Sequence, residues 1–156
     1  MEYRFPARRT AGINGYLFDL SGFAKKLRGL IIFVQILKRT VMSLVSDFND
    51  YRAKMNDRIL GHENKVMRRF YNLDSHAYEE GALPVKTKEM LGLIASMVLR
   101  CDDCIKYHIG KCKDLDMSED EFFEILSIAN LVGGSICIPH TRRAVEYWDA
   151  LHAEHA

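Results

Sequence analysis

Apolar side chains recur at steps of three and four residues over most of this 156-residue chain, which restricts it to helices. The pattern is clear from Val45 to Ile59 and ends at Gly61. No stretch alternates apolar and polar residues cleanly at every second position, so the sequence predicts no β-sheet. We therefore expect an all-α fold, a single-domain helical bundle of about six helices.

Further helices are predicted by the same spacing together with local start and stop signals. A second helix is expected from about Glu63 to Leu73, before a break at Gly81-Ala82-Leu83-Pro84. Thr87 is the expected N-cap of a third helix, and the helix that contains the cysteines follows it to about Lys113. The order of these elements gives no βαβ unit, so a thioredoxin-like fold is not predicted.

Capping signals predict the last two helices. Ser118-Glu119-Asp120-Glu121 has the form of a capping box that opens an apolar helix, and Gly133-Gly134 ends it. Pro139 suits the first turn of the final helix.

The charge of the chain is distributed unevenly. Residues 1–41 have eight Lys or Arg against two acidic residues, a net charge of +6, whereas the whole chain has +1 and residues 42–156 therefore have −5. We divide the chain into a basic N-terminal extension, residues 1–41, and a domain, residues 42–156, with Met42 as an alternative start. The small net charge gives no reason to expect nucleic acid or a membrane as a partner.

An apolar segment in the extension is too short to cross a bilayer. It runs from Leu30 to Leu37, whereas a membrane-spanning helix needs about 20 apolar residues. It is followed by Lys38-Arg39 and lacks the small-residue cleavage site of a signal peptide. We expect a cytoplasmic protein whose cysteines are reduced at rest, so that a pair of close cysteines is more consistent with catalysis than with a structural crosslink.

Two cysteines and a histidine are spaced to share one helical face. Cys101 and Cys104 are three residues apart, and His108 follows four residues later. A thiolate is favoured by a helix N-terminus and by a neighbouring histidine, while Asp102-Asp103 oppose it by their negative charge. The spacing predicts a redox-active cysteine pair with a base beside it.

Other interpretations of the cysteines remain open at this point. A structural zinc site needs four ligands, and Cys112 and Cys137 are far from the pair in sequence. Cysteine is also a common small apolar core residue. Tyr107 either contacts a substrate or packs beside the site, and His140 and Cys137 are interpreted as structural.

Residues 81–145 resemble the carboxymuconolactone decarboxylase and alkylhydroperoxidase D-like family. The resemblance is carried by the segment from Gly81 to Glu89, by the Gly133-Gly134 pair and by the pattern E-x11-C-x2-C-x3-H, which comprises Glu89, Cys101, Cys104 and His108. It implies that the two cysteines cycle between dithiol and disulfide while Glu89 and His108 relay a proton to and from Cys104. Asp103 stands where the peroxidase prototype has a histidine, which weakens the expectation of rapid peroxide turnover.

The resemblance implies a thiol–disulfide oxidoreductase with alkylhydroperoxidase-like activity that needs no cofactor. Its partners would be a hydroperoxide or disulfide substrate, an external thiol reductant and further copies of the chain in a hexamer or trimer. Judged without the resemblance, Glu89 also suits a helix N-terminus for its charge alone. The alternatives are a lyase like the lactone decarboxylases, and a non-catalytic oligomeric binding protein with structural or metal-binding cysteines.

Overall fold

The computed structural model describes residues 20–153, with side chains for residues 22–36 and 44–153. Within these residues it contains six α-helices and one short 3-10 helix, and no strand. The elements are α1 (Leu20–Leu60), α2 (Lys65–Ala77), α3 (Val85–Leu99), α4 (Asp102–Asp114), α5 (Glu119–Gly133), the 3-10 helix (Ser135–Cys137) and α6 (Ile138–Ala153). The expected all-α class is confirmed.

The chain divides into two compact units between Ile36 and Leu37. In the first unit the described residues are helical, and several of their apolar side chains are exposed: Phe23, Leu27, Leu30, Ile31, Ile32, Phe33 and Val34. Residues 1–19 of the predicted basic extension lie outside the described residues. None of the described helices combines the length and apolar character that a membrane span requires.

The capping box predicted at the start of α5 is confirmed. Ser118 Oγ accepts a hydrogen bond from the backbone N–H of Glu121 at 3.2 Å, and Glu121 Oε2 accepts one from the backbone N–H of Ser118 at 2.7 Å. Lys86 Nζ also donates to Glu121 Oε2, at 2.9 Å, and this bond lowers the pKa of the Glu121 carboxyl further than the Ser118 backbone does. The same side chain therefore caps α5 and ties it to α3.

The starts of α2 and α3 differ from the predictions. Asn64 caps α2, since its side chain accepts from the N–H groups of Val66 and Met67, so Glu63 lies outside the helix. The prediction that Thr87 caps α3 is wrong: Pro84 is the N-cap residue, and the helix begins at Val85. Pro84 has an extended ψ of 151° and leads directly into the helix, which leaves Thr87 inside the first turn.

The core of the second unit lies between α3, α4, α5, α6 and the later part of α1. Phe122 on α5 stacks on Trp148 of α6 with ring centroids 4.5 Å apart, and Phe48 of α1 meets Tyr147 edge-on at 5.8 Å. Burial of a side chain as large as Phe122 stabilises the fold by about 2–3 kcal/mol. Because α3 and α4 pack on each other inside this core, residues distant in sequence are brought together at one site.

Candidate active site

The two cysteines of the C-x2-C motif form a disulfide at the start of α4. Cys101 is the N-cap residue, Cys104 lies in the first turn, and their Cα atoms are 5.3 Å apart, within the range for a disulfide. The structure shows the pair in its oxidised form, and the expectation of reduced cysteines at rest stays a prediction. The redox state at rest depends on the cellular compartment, whereas the chain itself determines that the two sulfurs lie within bonding reach.

The turn between α3 and α4 places Cys101 at this position. Arg100 has a left-handed φ of 60°, which ends α3 and redirects the chain. The backbone N–H of Cys101 then donates to the carbonyl of Ser96 at 3.1 Å. Cys101 is half-buried and Cys104 is exposed, so Cys104 is the more accessible of the two cysteines.

A buried carboxylate and imidazole lie next to the cysteine helix. Glu89 of α3 and His108 of α4 are 3% and 7% exposed, and Glu89 Oε2 is 2.7 Å from His108 Nδ1. A carboxylate can only accept a hydrogen bond, so Nδ1 of His108 carries a hydrogen and donates the bond to Glu89. The other ring nitrogen, Nε2, keeps a free lone pair. The two residues that the family resemblance paired are therefore in contact, as a buried carboxylate–imidazole pair.

Cys104 and His108 share the wall of one pocket. Its volume is about 300 Å³, and residues of α1 and α2 complete it: Phe48, Tyr51, Arg52, Met55, Asn56 and Asp74. Tyr107 also lines it, edge-on to His108 with ring centroids 5.1 Å apart, while the guanidinium of Arg52 lies 4.0 Å above the Tyr107 ring. The apolar wall beside a thiol and an imidazole suits a small organic substrate.

The α1 side chains of this pocket were missed by the sequence reasoning. Their helical spacing was visible, but no local motif marks Arg52 as a neighbour of Tyr107, which lies 55 positions further along the chain. A larger groove of about 1100 Å³ adjoins the pocket and shares Phe48, Tyr51 and Asp103 with it. The groove is not lined by Cys101, Cys104 or His108, so we place the chemistry in the smaller pocket.

Glu89 is reached from a second opening. A pocket of about 400 Å³ is lined by Glu89, Tyr78, Tyr107 and residues at the end of α4, but not by Cys104 or His108. Burial, and then the nearby charge of Glu89, raises the pKa of Tyr78, which keeps its hydroxyl protonated. The Glu89–His108 pair therefore lies beside two neighbouring pockets, which share Asp74 and Tyr107 in their walls.

The remaining two cysteines are buried free thiols. Burial raises the pKa of Cys112 to about 12, so it stays protonated and unreactive. Cys137 packs against Gly133, and its Sγ donates to the carbonyl of Met97 at 3.6 Å. In the described part of the chain, no group of three or more His, Cys, Asp or Glu side chains is arranged to hold a metal ion.

Gly92 in α3 makes room for the imidazole. A Cβ atom at this position would lie 2.6 Å from Cε1 of His108 and 2.7 Å from the Tyr78 hydroxyl. We expect Gly92→Ala to lower the free energy of unfolding by about 1–3 kcal/mol through overpacking, despite the better helix propensity of alanine. Denaturant unfolding measures this change.

The matched control is Gly110→Ala in α4, where an added Cβ has no atom within 4 Å. It is expected to raise the free energy of unfolding by up to about 1 kcal/mol, since only helix propensity changes. Equal effects of the two substitutions would show that the space over Gly92 is not filled as described.

The fold and the site together define a class: a helical bundle with a cysteine pair at a helix N-terminus, one of them exposed, and a buried Glu–His pair beside it. The chain belongs to the carboxymuconolactone decarboxylase family, whose model matches residues 64–147, more than half of the sequence. The matched region contains all four residues of the E-x11-C-x2-C-x3-H pattern.

Solved structures and a curated protein are similar to this chain. The chain is 49% identical to TM1620 from Thermotoga maritima, with a TM-score of 0.68 over 70% of this chain and 96% of that one. A second crystal structure of TM1620 describes it as a carboxymuconolactone decarboxylase family protein. An involvement of TM1620 in an antioxidative response has been suggested. Apo-lpg0406 from Legionella pneumophila has the same fold, at 23% identity and a TM-score of 0.63 over 69% of this chain and 96% of that one. An uncharacterized protein of Cupriavidus necator is 28% identical over 88 residues, 56% of this chain and 78% of its own.

Proposed function

We propose that this protein is a thiol–disulfide oxidoreductase that reduces organic hydroperoxides. One observation carries the proposal: the exposed sulfur of a closed disulfide shares a small pocket with the imidazole of a buried Glu–His pair. The suggested antioxidative involvement of TM1620, at 49% identity, supports it.

The reaction starts from the dithiol and balances with one hydroperoxide. His108 takes the proton of the Cys104 thiol at Nε2, and the thiolate attacks the outer oxygen of the hydroperoxide, so that the O–O bond breaks and an S–O bond forms. The departing alkoxide receives that proton and leaves as an alcohol. The Cys101 sulfur then attacks Cys104, the S–S bond forms, and water leaves with the Cys101 proton. Two electrons pass from the cysteines to the hydroperoxide.

Each step is assigned to a group by its position. Cys104 is the attacking sulfur because it is the exposed member of the pair and lines the pocket. Glu89 acts through His108: its carboxylate holds the imidazole by Nδ1 and stabilises the imidazolium that forms when Nε2 takes a proton. An external thiol reductant, as found in a cytoplasmic environment, would restore the dithiol by exchange.

Further copies of the same chain are the other partners that we propose. Large apolar side chains on α3 and α5 are exposed, including Leu99, Leu131 and Val132 at 75%, 86% and 69%. Surfaces of this kind favour association between copies.

The test is a thiol count on the reduced wild-type protein before and after one equivalent of an organic hydroperoxide. We expect the count to fall from four thiols per chain to two, with one alcohol formed, because Cys112 and Cys137 are buried. The Cys101→Ser/Cys104→Ser double variant is the control and should keep both remaining thiols. A hydroperoxide left unconsumed by the reduced wild type would contradict the proposal.

A further inference from the structure

Asp102, which lies between the two cysteines, joins the start of α4 to α6. Its Oδ1 is 2.7 Å from His140 Nδ1, and its Oδ2 is 3.0 Å from Arg143 Nε. Because a carboxylate only accepts, His140 donates from Nδ1, and Arg143 donates from Nε. Arg143 Nη2 also lies 2.9 Å from His140 Nδ1, so the three side chains form one compact cluster.

The cluster keeps Asp102 charged and paired. Burial on its own would raise the pKa of Asp102, but the hydrogen bonds from His140 and Arg143 outweigh it and hold the pKa below its usual value. Asp103, one residue further, has no hydrogen-bonded or ionic partner among residues 22–36 and 44–153, and it faces the substrate pocket. Two neighbouring aspartates thus differ: one is anchored to α6 and the other is free.

Anchoring Asp102 bears directly on the geometry of the disulfide. Cys104 is inside α4 and is held by the helix, whereas Cys101 is a single extended residue, with φ −97° and ψ 93°, between Arg100 and the helix. Its amide is held on one side by Ser96 of α3. On its C-terminal side Cys101 is followed by Asp102, the first residue of α4, whose side chain is bound to α6. The distance between the two sulfurs therefore depends on the position of Asp102.

We propose that Asp102, His140 and Arg143 are positioning residues for the cysteine pair, which hold Cys101 at bonding distance from Cys104 and so favour the disulfide over the dithiol. The proposal rests on the proposed function only in taking the pair as redox-active. It assigns a role in the cysteine site to His140, for which the sequence predicts only a structural one.

The equilibrium between dithiol and disulfide in a glutathione buffer tests this role. In this exchange the bond between Cys101 and Cys104 forms and the S–S bond of oxidised glutathione breaks. Two electrons pass to glutathione, and the two thiol protons end on its reduced form. The equilibrium constant measures how well the fold presents the two sulfurs to each other, and it does not require hydroperoxide turnover.

We expect His140→Ala and Arg143→Ala to lower this equilibrium constant about tenfold, which for a two-electron couple is a rise in reduction potential of about 30 mV. His140→Asn should stay within about twofold of the wild type, because its amide N–H replaces the Nδ1–H donor. The control is His152→Ala, on the same helix, whose Nδ1 donates to the carbonyl of Trp148 within that helix.

A merely structural role would destabilise the dithiol and the disulfide forms equally and would leave the equilibrium constant unchanged. The Arg143 side chain is 45% exposed, so Arg143→Ala folds even where His140→Ala does not, and an unchanged constant in that variant overturns the proposal. If the wild type reduces no hydroperoxide while the constant shifts as expected, the proposed function fails and the positioning role stands.

Discussion

Cys104→Ser is expected to abolish hydroperoxide reduction, while Cys101→Ser is expected to consume one hydroperoxide per chain and then stop. A serine hydroxyl at position 104 is no substitute for the thiolate that lines the pocket beside His108. Without Cys101 the oxidised Cys104 has no partner and remains a sulfenic acid. Hydroperoxide consumption measures the loss in Cys104→Ser and the single turnover in Cys101→Ser. Mass spectrometry of Cys101→Ser should show a mass increase of one oxygen atom.

Cys112→Ser is the matched control for these two variants. Its thiol is buried with a raised pKa of about 12, and it takes no part in the proposed reaction, so the rate should equal that of the wild type. Hydroperoxide consumption by Cys104→Ser at the wild-type rate would refute the assignment of Cys104 as the attacking sulfur.

The second large effect is expected at the Glu89–His108 pair. His108→Ala should lower the rate of dithiol oxidation by about 10²–10⁴-fold, the usual contribution of a positioned general base. Glu89→Gln keeps an oxygen that accepts from Nδ1 but loses the charge that stabilises the imidazolium, so we expect a smaller loss of about 10–100-fold. Rapid-mixing measurements of disulfide formation across a range of pH give these rates.

The pH dependence separates a catalytic from a structural effect at this pair. The base must be unprotonated at Nε2, so the wild-type rate should fall in acid, where Nε2 carries a proton. His108→Ala should lose this acid limb, since no other imidazole of the described residues lines the pocket. An unchanged pH profile in His108→Ala would exclude His108 as the base.

His76→Ala is the control for histidine loss. His76 is exposed on α2 and its Nδ1 lies 2.6 Å from the carbonyl of Asn72 in its own helix, so neither rate nor stability should change greatly. In His108→Ala, by contrast, Glu89 is left buried without its partner, which costs about 3–5 kcal/mol of stability. Rates are therefore compared at a temperature where the variant is folded.

Much of the fold was predictable because the helices of this chain depend on local signals. The capping box at Ser118 and the apolar spacing of the later helices each act within a few residues, and the structure confirms them. Thr87 was misassigned because two local signals compete at the start of α3, and Pro84 begins the helix earlier than a threonine cap would. The spacing of apolar residues alone does not decide which of these two residues begins the helix.

Contacts within the site were predictable where the residues lie on the same helix. They were not predictable where the residues lie on helices that are far apart in sequence. The motif lies at the start of α4: Cys101 caps the helix, and Cys104 and His108 follow in its first two turns. Their proximity therefore follows from helix geometry. The contact of His140 with Asp102 spans 38 positions and depends on how α6 packs on α4, which no local pattern encodes. The contact between Glu89 and His108 was reached only through the family resemblance.

Arg100 adopts a backbone conformation that the helical spacing of the sequence does not predict. Its φ is 60°, in the left-handed region that glycine adopts without steric cost. Arginine tolerates it at a cost of about 1 kcal/mol. The turn that presents Cys101 is therefore formed at a small steric cost.

The two neighbouring pockets beside the Glu89–His108 pair have a consequence for reduction of the disulfide under the proposed function. An electron donor that attacks Cys104 would occupy the pocket beside His108 while the mixed disulfide exists. Glu89 also lines the pocket beside Tyr78, which would give the pair a second route for proton exchange. Proton exchange at the site would then not depend on the pocket that the donor occupies.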